Sequence, residues 1–271
     1  MPAPQEPAVA SGDRNLALFC DFENIALGVR DSKYAEFDMR LVVQKLLVKG
    51  SIVVKKAYCD WERYKSYKKA MHEAAFELIE IPHVRQSGKN SADIRMVVDA
   101  LDLCYTKEHI DTFVIISGDS DFSPLVSKLR ENAKTVIGVG VKNSTSDLLI
   151  SNCDEFIYYD DLVRDVAPAS EKATRRAPAA KAPKPRKDRM QEGIDLVLET
   201  TRALASERAD TAKLWGSMIK QTLKRRHPGF SESFYGFASF NELLEEAQSR
   251  GYLKLALDEK SGGYVIESVT A

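Results

Sequence analysis

Aspartates recur in this chain where apolar segments end. Asp21 closes LALFCD, and the pair Asp119 and Asp121 follows FVIISG. Asp93 lies in GKNSADIRMVV, at the start of a helical pattern. If the apolar segments are parallel strands, their carboxyl ends share one side of a sheet, where such sheets bind ligands. Asp21, Asp119 and Asp121 then converge, and Asp93 joins them from the first turn of its helix. Ionised carboxylates gathered in one place repel each other strongly. A divalent cation relieves that repulsion, and an all-oxygen site with room for water and phosphate suits Mg²⁺ or Mn²⁺. Such ions activate water and stabilise the leaving oxygen of a phosphodiester.

Taken singly, each acid also has a plainer role as a helix cap or turn residue. Asp93 can simply complement its own helix dipole. The expectation of a shared metal site rests on the set. Asn24, three residues after Asp21, is placed to hold water or phosphate, or to close an Asx turn. Ser117, just before Gly118, can donate to an acid or a phosphate, or merely fit a strand end. Asp99 follows Asp93 by six residues, about 240° around a helix. It therefore belongs to another face, as a support or an ion-pair partner.

Basic residues accompany the acids. The segment WERYKSYKK interleaves Arg63, Lys65, Lys68 and Lys69 with Tyr64 and Tyr67, just after a predicted strand end. Cations there can bind phosphates and aromatics can stack on unpaired bases; a solvated helix face is the alternative. Arg85 and Lys89 flank the QSGKN loop before Asp93, where they either meet a phosphate or stand in solvent.

The elements that must position these residues can be read from the apolar pattern. Residues 15–20, 51–58, 78–84, 111–117, 135–141 and 155–159 read as strands. Residues 37–49, 62–76, 91–105, 123–132 and 146–151 read as helices. Alternating strands and helices imply a parallel sheet covered on both faces. Residues 1–13 read as a tail and 14–165 as one α/β domain. Residues 166–190, rich in Ala, Pro, Lys and Arg without apolar period, read as a linker. Residues 191–271 form a second domain. Helices are expected at 194–203, 214–225 and 240–250, followed by strands at 252–257 and 264–267 around a DEKSGG turn, a winged-helix pattern.

The net charge of -1 conceals a division: the segment 1–170 carries -5, 171–190 carries +6 and 191–271 carries -2. Contact with nucleic acid must then use local basic patches. The four cysteines are dispersed, with no CxxC pair, which argues for buried thiols rather than zinc or disulfides. No apolar run is long enough to span a bilayer, and the N-terminus has no signal-peptide pattern. A cytoplasmic protein without membrane contact is expected.

The segments LFCDFENI, GKNSADIRMVVDAL, VIISGDSDFSPLVSKLRENAKTVIGVGV and SDLLISNCDEFIYYD resemble, in order and spacing, the NYN domain of the PIN-like nuclease superfamily, and within it the bacterial LabA-like branch. The resemblance covers residues 14–162. It implies a PIN-like, Rossmann-like α/β fold and Mg²⁺- or Mn²⁺-dependent RNA cleavage. It also implies Asp21, Asp93, Asp119 and Asp121 as metal-binding acids, with Asn24 and Ser117 in support. Domains of this kind often pair, so a homodimer is an open alternative. The second domain is similar to the LOTUS (OST-HTH) winged helix, through KRRHPGFSESFYGFASF and the GYL strand that follows. That similarity implies a module for RNA, single-stranded or structured and G-rich, or for a protein partner. Lys220, Lys224, Arg225 and Arg226 are its candidate phosphate contacts, whereas Tyr235, Phe237 and Phe240 are expected in its core. The functional expectation is a metal-dependent endoribonuclease leaving 5′-phosphate and 3′-hydroxyl ends, targeted by the second domain. The alternative is a non-catalytic RNA-binding regulator that keeps the acidic site. A phosphatase fits less well, because the first strand ends in DFEN rather than a DxD nucleophile pair.

Overall fold

The computed structural model describes residues 14–32, 34, 36–81, 90–166, 186–206, 213–258 and 262–270. Arg85 and Lys89, the predicted tail and most of the predicted linker lie outside the described residues.

The first domain runs β1 (Arg14–Asp21), α1 (Phe22–Asp31), α2 (Met39–Leu47), β2 (Gly50–Cys59), α3 (Lys65–Glu73), β3 (Glu77–Glu80), α4 (Ser91–Thr106), β4 (Thr112–Ile116), α5 (Ser123–Glu131), β5 (Thr135–Gly140), α6 (Asp147–Asn152), β6 (Glu155–Tyr158) and α7 (Tyr159–Val166). The strands form one sheet in the order β3-β2-β1-β4-β5-β6, and every pairing is parallel.

Alternate residues of the central strands feed two cores. Leu16, Leu18, Cys20, Val114 and Ile116 face one side, where Ile25, Val42, Met71 and Leu162 of α1, α2, α3 and α7 cover them. Ala17, Phe19, Phe113 and Ile115 face the other, against Met96, Ala100, Leu125, Leu129 and Leu149 of α4, α5 and α6. A two-residue period with both faces covered explains why these strands read as continuous apolar runs. All four cysteines are buried and free, as their sequence surroundings suggest.

The strand order turns at β1. The chain builds β2 and β3 on one side of it, then crosses over to β4 on the other. The crevice between the carboxyl ends of β1 and β4 is thus the switch point at which open α/β sheets take ligands.

The second domain comprises α8 (Arg186–Ser206), β7 (Leu214–Trp215), α9 (Gly216–Arg226), α10 (Phe240–Ser249), β8 (Leu253–Leu257) and β9 (Tyr264–Val269). Its three-stranded antiparallel sheet has the order β7-β9-β8. Ile194, Val197, Ile219, Leu223, Leu243 and Leu244 form its core, with Phe237 and Phe240 buried and Tyr235 packed against them.

Several boundaries differ from the sequence expectation. Two helices went unrecognised: α1, which starts directly behind Asp21, and α7. The linker assigned to 166–190 is shorter at both ends, because α7 reaches Val166 and α8 already begins at Arg186. Pro185 ends the proline-bearing stretch, and the charged residues after it favour helix. Leu214 and Trp215, taken as the start of a helix, instead add a strand beside β9.

The two domains touch. The outer edge of β6 is covered by the segment after α9, where the Phe156 amide donates to the Pro228 carbonyl at 2.9 Å. Lys142 sets its ammonium 2.9 Å from the centre of the Phe234 ring. Arg164 donates to Ser233 Oγ at 3.0 Å, and Lys224 lies 3.9 Å from Glu155.

Candidate active site

The site is built from two short loops that lock into each other. Asp21 is the last residue of β1 and also the cap of α1, its Oδ1 accepting from the Asn24 amide at 3.3 Å. Its other oxygen accepts from Ser117 Oγ at 3.0 Å. Ser117 is fully buried just beyond β4, held by its amide to the Val139 carbonyl. Its hydroxyl oxygen in turn accepts from the Asp119 amide at 3.1 Å. The Asn24 side-chain oxygen accepts from the Gly118 amide at 2.9 Å. Asn24 and Ser117 thus clamp the β1 and β4 loops together.

Gly118 sits where no side chain fits. A Cβ there would fall 2.5 Å from the Ser144 carbonyl oxygen, and the Gly118 carbonyl accepts from the Ser146 amide. The turn after it is capped by Asp119, whose Oδ1 accepts from the Asp121 amide at 3.0 Å. Both plain readings of the aspartates are therefore realised, since Asp21 caps a helix and Asp119 caps a turn.

Capping does not exhaust their electrostatics. Asp21 is only 8% exposed. Burial pushes its carboxyl up to about 7, the negative charge of Asp93 adds to the rise, and the Ser117 hydroxyl and Asn24 amide oppose it. Asp93, in the first turn of α4, is raised above the usual carboxylate range by burial and then by Asp119, Asp121 and Glu23. The four predicted acids thus feel one another from two loops and a helix. Among the described residues, no three His, Cys, Asp or Glu side chains already surround a common point at metal-ligating distance. Four like charges without a counter-ion have reason to stand apart. The donor set is nonetheless all hard oxygen, and its innermost carboxylate is buried beside negative neighbours, which fits a divalent cation.

Glu23 was not recognised in the sequence as part of this group. It stands in the first turn of α1 and forms an ion pair with Arg63 at 3.1 Å. Its signal was its place between Asp21 and Asn24. Asp99, in contrast, is separate, as its spacing requires. It accepts from the Tyr58 hydroxyl at 2.9 Å, Arg95 at 3.0 Å and Lys56 at 3.3 Å. Burial raises its carboxyl, but these donors outweigh burial and hold it below its ordinary value.

The predicted RNA contacts divide. Arg63 lies in the turn before α3 and Lys65, Lys68 and Lys69 in its first half, beyond the carboxyl end of β2, on the side of the acids. Arg63 is tied to Glu23, Lys68 to Glu62 and Lys69, at 3.9 Å, to Glu73, while Lys65 is exposed. In the second domain Lys220 pairs with Glu232 at 2.8 Å and Arg226 with Glu199. Lys224 faces Glu155 across the domain contact, and Arg225 is exposed at the end of α9.

A family model described as the NYN domain matches residues 15–160. An uncharacterized protein of Methanocaldococcus jannaschii is 27% identical over 146 residues, which cover 54% of this chain and 55% of that protein. The chain therefore spans about half the length of the curated relative it matches. A crystal structure of a protein of unknown function from Vibrio parahaemolyticus aligns with TM-score 0.50 at 24% identity, over 56% of this chain and 97% of that one. That likeness concerns the fold alone.

Proposed function

The chain belongs to the NYN family of the PIN-like nuclease superfamily, and on that premise we propose that it is a divalent-metal-dependent endoribonuclease. The observation that carries the proposal is the Asp21 carboxylate, buried at the switch point of the sheet beside negative neighbours. Asp21, Asp93, Asp119 and Asp121 are the residues to hold Mg²⁺ or Mn²⁺. When bound, the ion supplies positive charge against the phosphate and acidifies water for attack. The chain's own part is positional. Ser117 orients the Asp21 carboxylate, Asn24 fixes the Gly118 amide, and Arg63 can exchange Glu23 for a substrate phosphate. Hydrolysis of this kind leaves 5′-phosphate and 3′-hydroxyl ends.

The LabA-like sequence pattern supports a bacterial-type member acting in the cytoplasm. The LOTUS pattern of the second domain supports an RNA-targeting role, for which exposed Arg225 is the freest phosphate contact. Among the described residues no helix is long and apolar enough to cross a membrane.

The test is cleavage of labelled single-stranded, hairpin and G-rich RNAs in Mg²⁺, Mn²⁺ or EDTA, with wild type beside Asp119→Asn. Divalent-dependent cutting that disappears in the variant is the expected result. A second reading, an RNA-binding regulator without turnover, is favoured by the capping roles that Asp21 and Asp119 already fill. Equal RNA binding by both proteins without cutting would establish that reading and refute the nuclease.

A further inference from the structure

Between α1 and the start of α3 lies a second concavity, distinct from the acids. It holds about 160 Å³ and is lined by Ala26, Arg30, Tyr34, Glu36, Tyr64 and Tyr67, among others. Its aromatic wall packs on the core. Tyr64 and Tyr67, one helical turn apart, both stand edge-on to Phe22, with ring centres 5.6 and 5.1 Å from it. Phe22 is fully buried and is the residue next to Asp21. Tyr34 is fixed in turn, its hydroxyl donating to Asp160 at 2.9 Å.

The pocket follows the acidic site along α1. Glu23, one helical turn before the lining residues Ala26 and Leu27, pairs at 3.1 Å with Arg63, the residue before Tyr64. The Tyr64 phenol, raised chiefly by burial, feels Glu23, Arg63 and Arg30 together. At 1.5 Å of helical rise per residue, Leu27 and Arg30 lie about 9 and 13 Å along α1 from Asp21. That is the reach of a nucleotide or two beyond a phosphate held at the acids.

The shape and chemistry of the cavity select its occupant. Its volume is well below the ~300 Å³ at which drug-sized ligands begin to be enclosed, so it takes a flat ring rather than a whole nucleotide. Glu36 in the lining and Asp31 beside Arg30 disfavour a phosphate. Aromatic faces flanked by one cation and one carboxylate suit a neutral heterocycle with both donors and acceptors. We propose that this pocket receives an unpaired nucleobase of the RNA strand whose phosphate lies at the aspartates. Tyr64 supplies the stacking face and Arg30 and Glu36 the polar edge contacts. The inference rests on the reading of the protein as an RNA-processing NYN protein, and it commits that reading to single-stranded RNA at the site.

The test is a binding cycle on the full chain in EDTA, where cutting is suppressed. The probes are a single-stranded oligoadenylate and its abasic counterpart with the same sugar-phosphate backbone. Because contacts to the sugar-phosphate backbone are common to both probes, the informative quantity is the affinity ratio of intact to abasic strand. That ratio is expected to fall about tenfold in Tyr64→Ala, the loss of ~1.4 kcal/mol that one stacked base represents. It should fall in Arg30→Ala as well, and remain at the wild-type value in Tyr64→Phe, which keeps the ring. An unchanged ratio in Tyr64→Ala and Arg30→Ala overturns the pocket, and so does an equal loss in Tyr64→Phe. Cutting in Mg²⁺ or Mn²⁺ separates the two claims. Normal cleavage with an unchanged ratio refutes the pocket alone, whereas a lowered ratio without cleavage by wild type refutes the nuclease and keeps the pocket.

Discussion

Replacing Asp21 with asparagine should stabilise the ion-free protein at alkaline pH while abolishing cleavage. Folding lifts the Asp21 carboxyl from its ordinary 3.8 to about 7. The folded state therefore holds this proton more tightly than the unfolded chain does. The associated stability is complete below pH 3.8, declines as the pH rises, and is gone above about 7. At ~1.4 kcal/mol per pKa unit, the difference is on the order of 4 kcal/mol between the two extremes. Asparagine removes the charge and keeps one of the two acceptor oxygens that Ser117 Oγ and the Asn24 amide use. It also adds an amide donor, which costs ~1–3 kcal/mol if buried without a partner. The net gain at pH 8 is then ~1–3 kcal/mol, or about 2–4 °C in melting temperature for each kcal/mol in a domain of this size. The assay is urea unfolding in EDTA at pH 5.5 and pH 8. Wild type should gain ~2 kcal/mol from Asp21 on moving to the acid condition, and the variant should lack that component. Adding Mg²⁺ at pH 8 should restore stability to wild type and not to the variant, because the ion binds only the folded site. Parallel pH profiles for the two proteins would refute the assignment of Asp21 as a strained, ion-seeking carboxylate.

Other consequences are equally direct. Ser117→Ala removes the donor that holds Asp21 Oδ2, so the Asp21 carboxyl rises further. Cleavage should fall about tenfold, the worth of a hydrogen bond to a charge, and the acid limb of the pH–rate profile should move to higher pH. Gly118→Ala sets a methyl against the Ser144 carbonyl. A loss of ~1–3 kcal/mol in denaturant unfolding is expected, with cleavage lost beyond what stability explains. Phe234→Ala removes the ring under Lys142. Small-angle scattering should then report a larger radius of gyration, with the melting of the NYN domain unchanged.

Much of this architecture was legible because its signals are local. Residues 113–116 and 136–141 carry no polar side chain since both sheet faces are covered, and Gly118 with the acids after it falls where β4 stops. The place of Asp21, Asp93, Asp119 and Asp121 around one crevice follows from parallel topology alone. The helix α1 was hidden because Asp21 is at once the end of a strand and a helix cap, leaving no turn residues between the elements. Charge pairing was hidden for a different reason. Arg63 meets Glu23, and Lys224 meets Glu155, so which basic residues are free for RNA depends on partners far away in sequence. The pocket between α1 and α3 likewise joins residues from three separate segments.

The hydrogen bond from Phe156 to Pro228 bears on how the protein can be handled. A parallel sheet ends in strands whose outer amides and carbonyls are unpaired, and such margins recruit further strands from other molecules. At β3 this hazard is limited by a strand of four residues. At β6 it falls to the second domain, whose Pro228 and Gly229 lie across the margin. Cutting the chain after α7 to obtain the nuclease domain alone would bare that margin together with Tyr158 and Lys142. Loss of solubility in such a fragment would then reflect an uncovered sheet rather than a misfolded one.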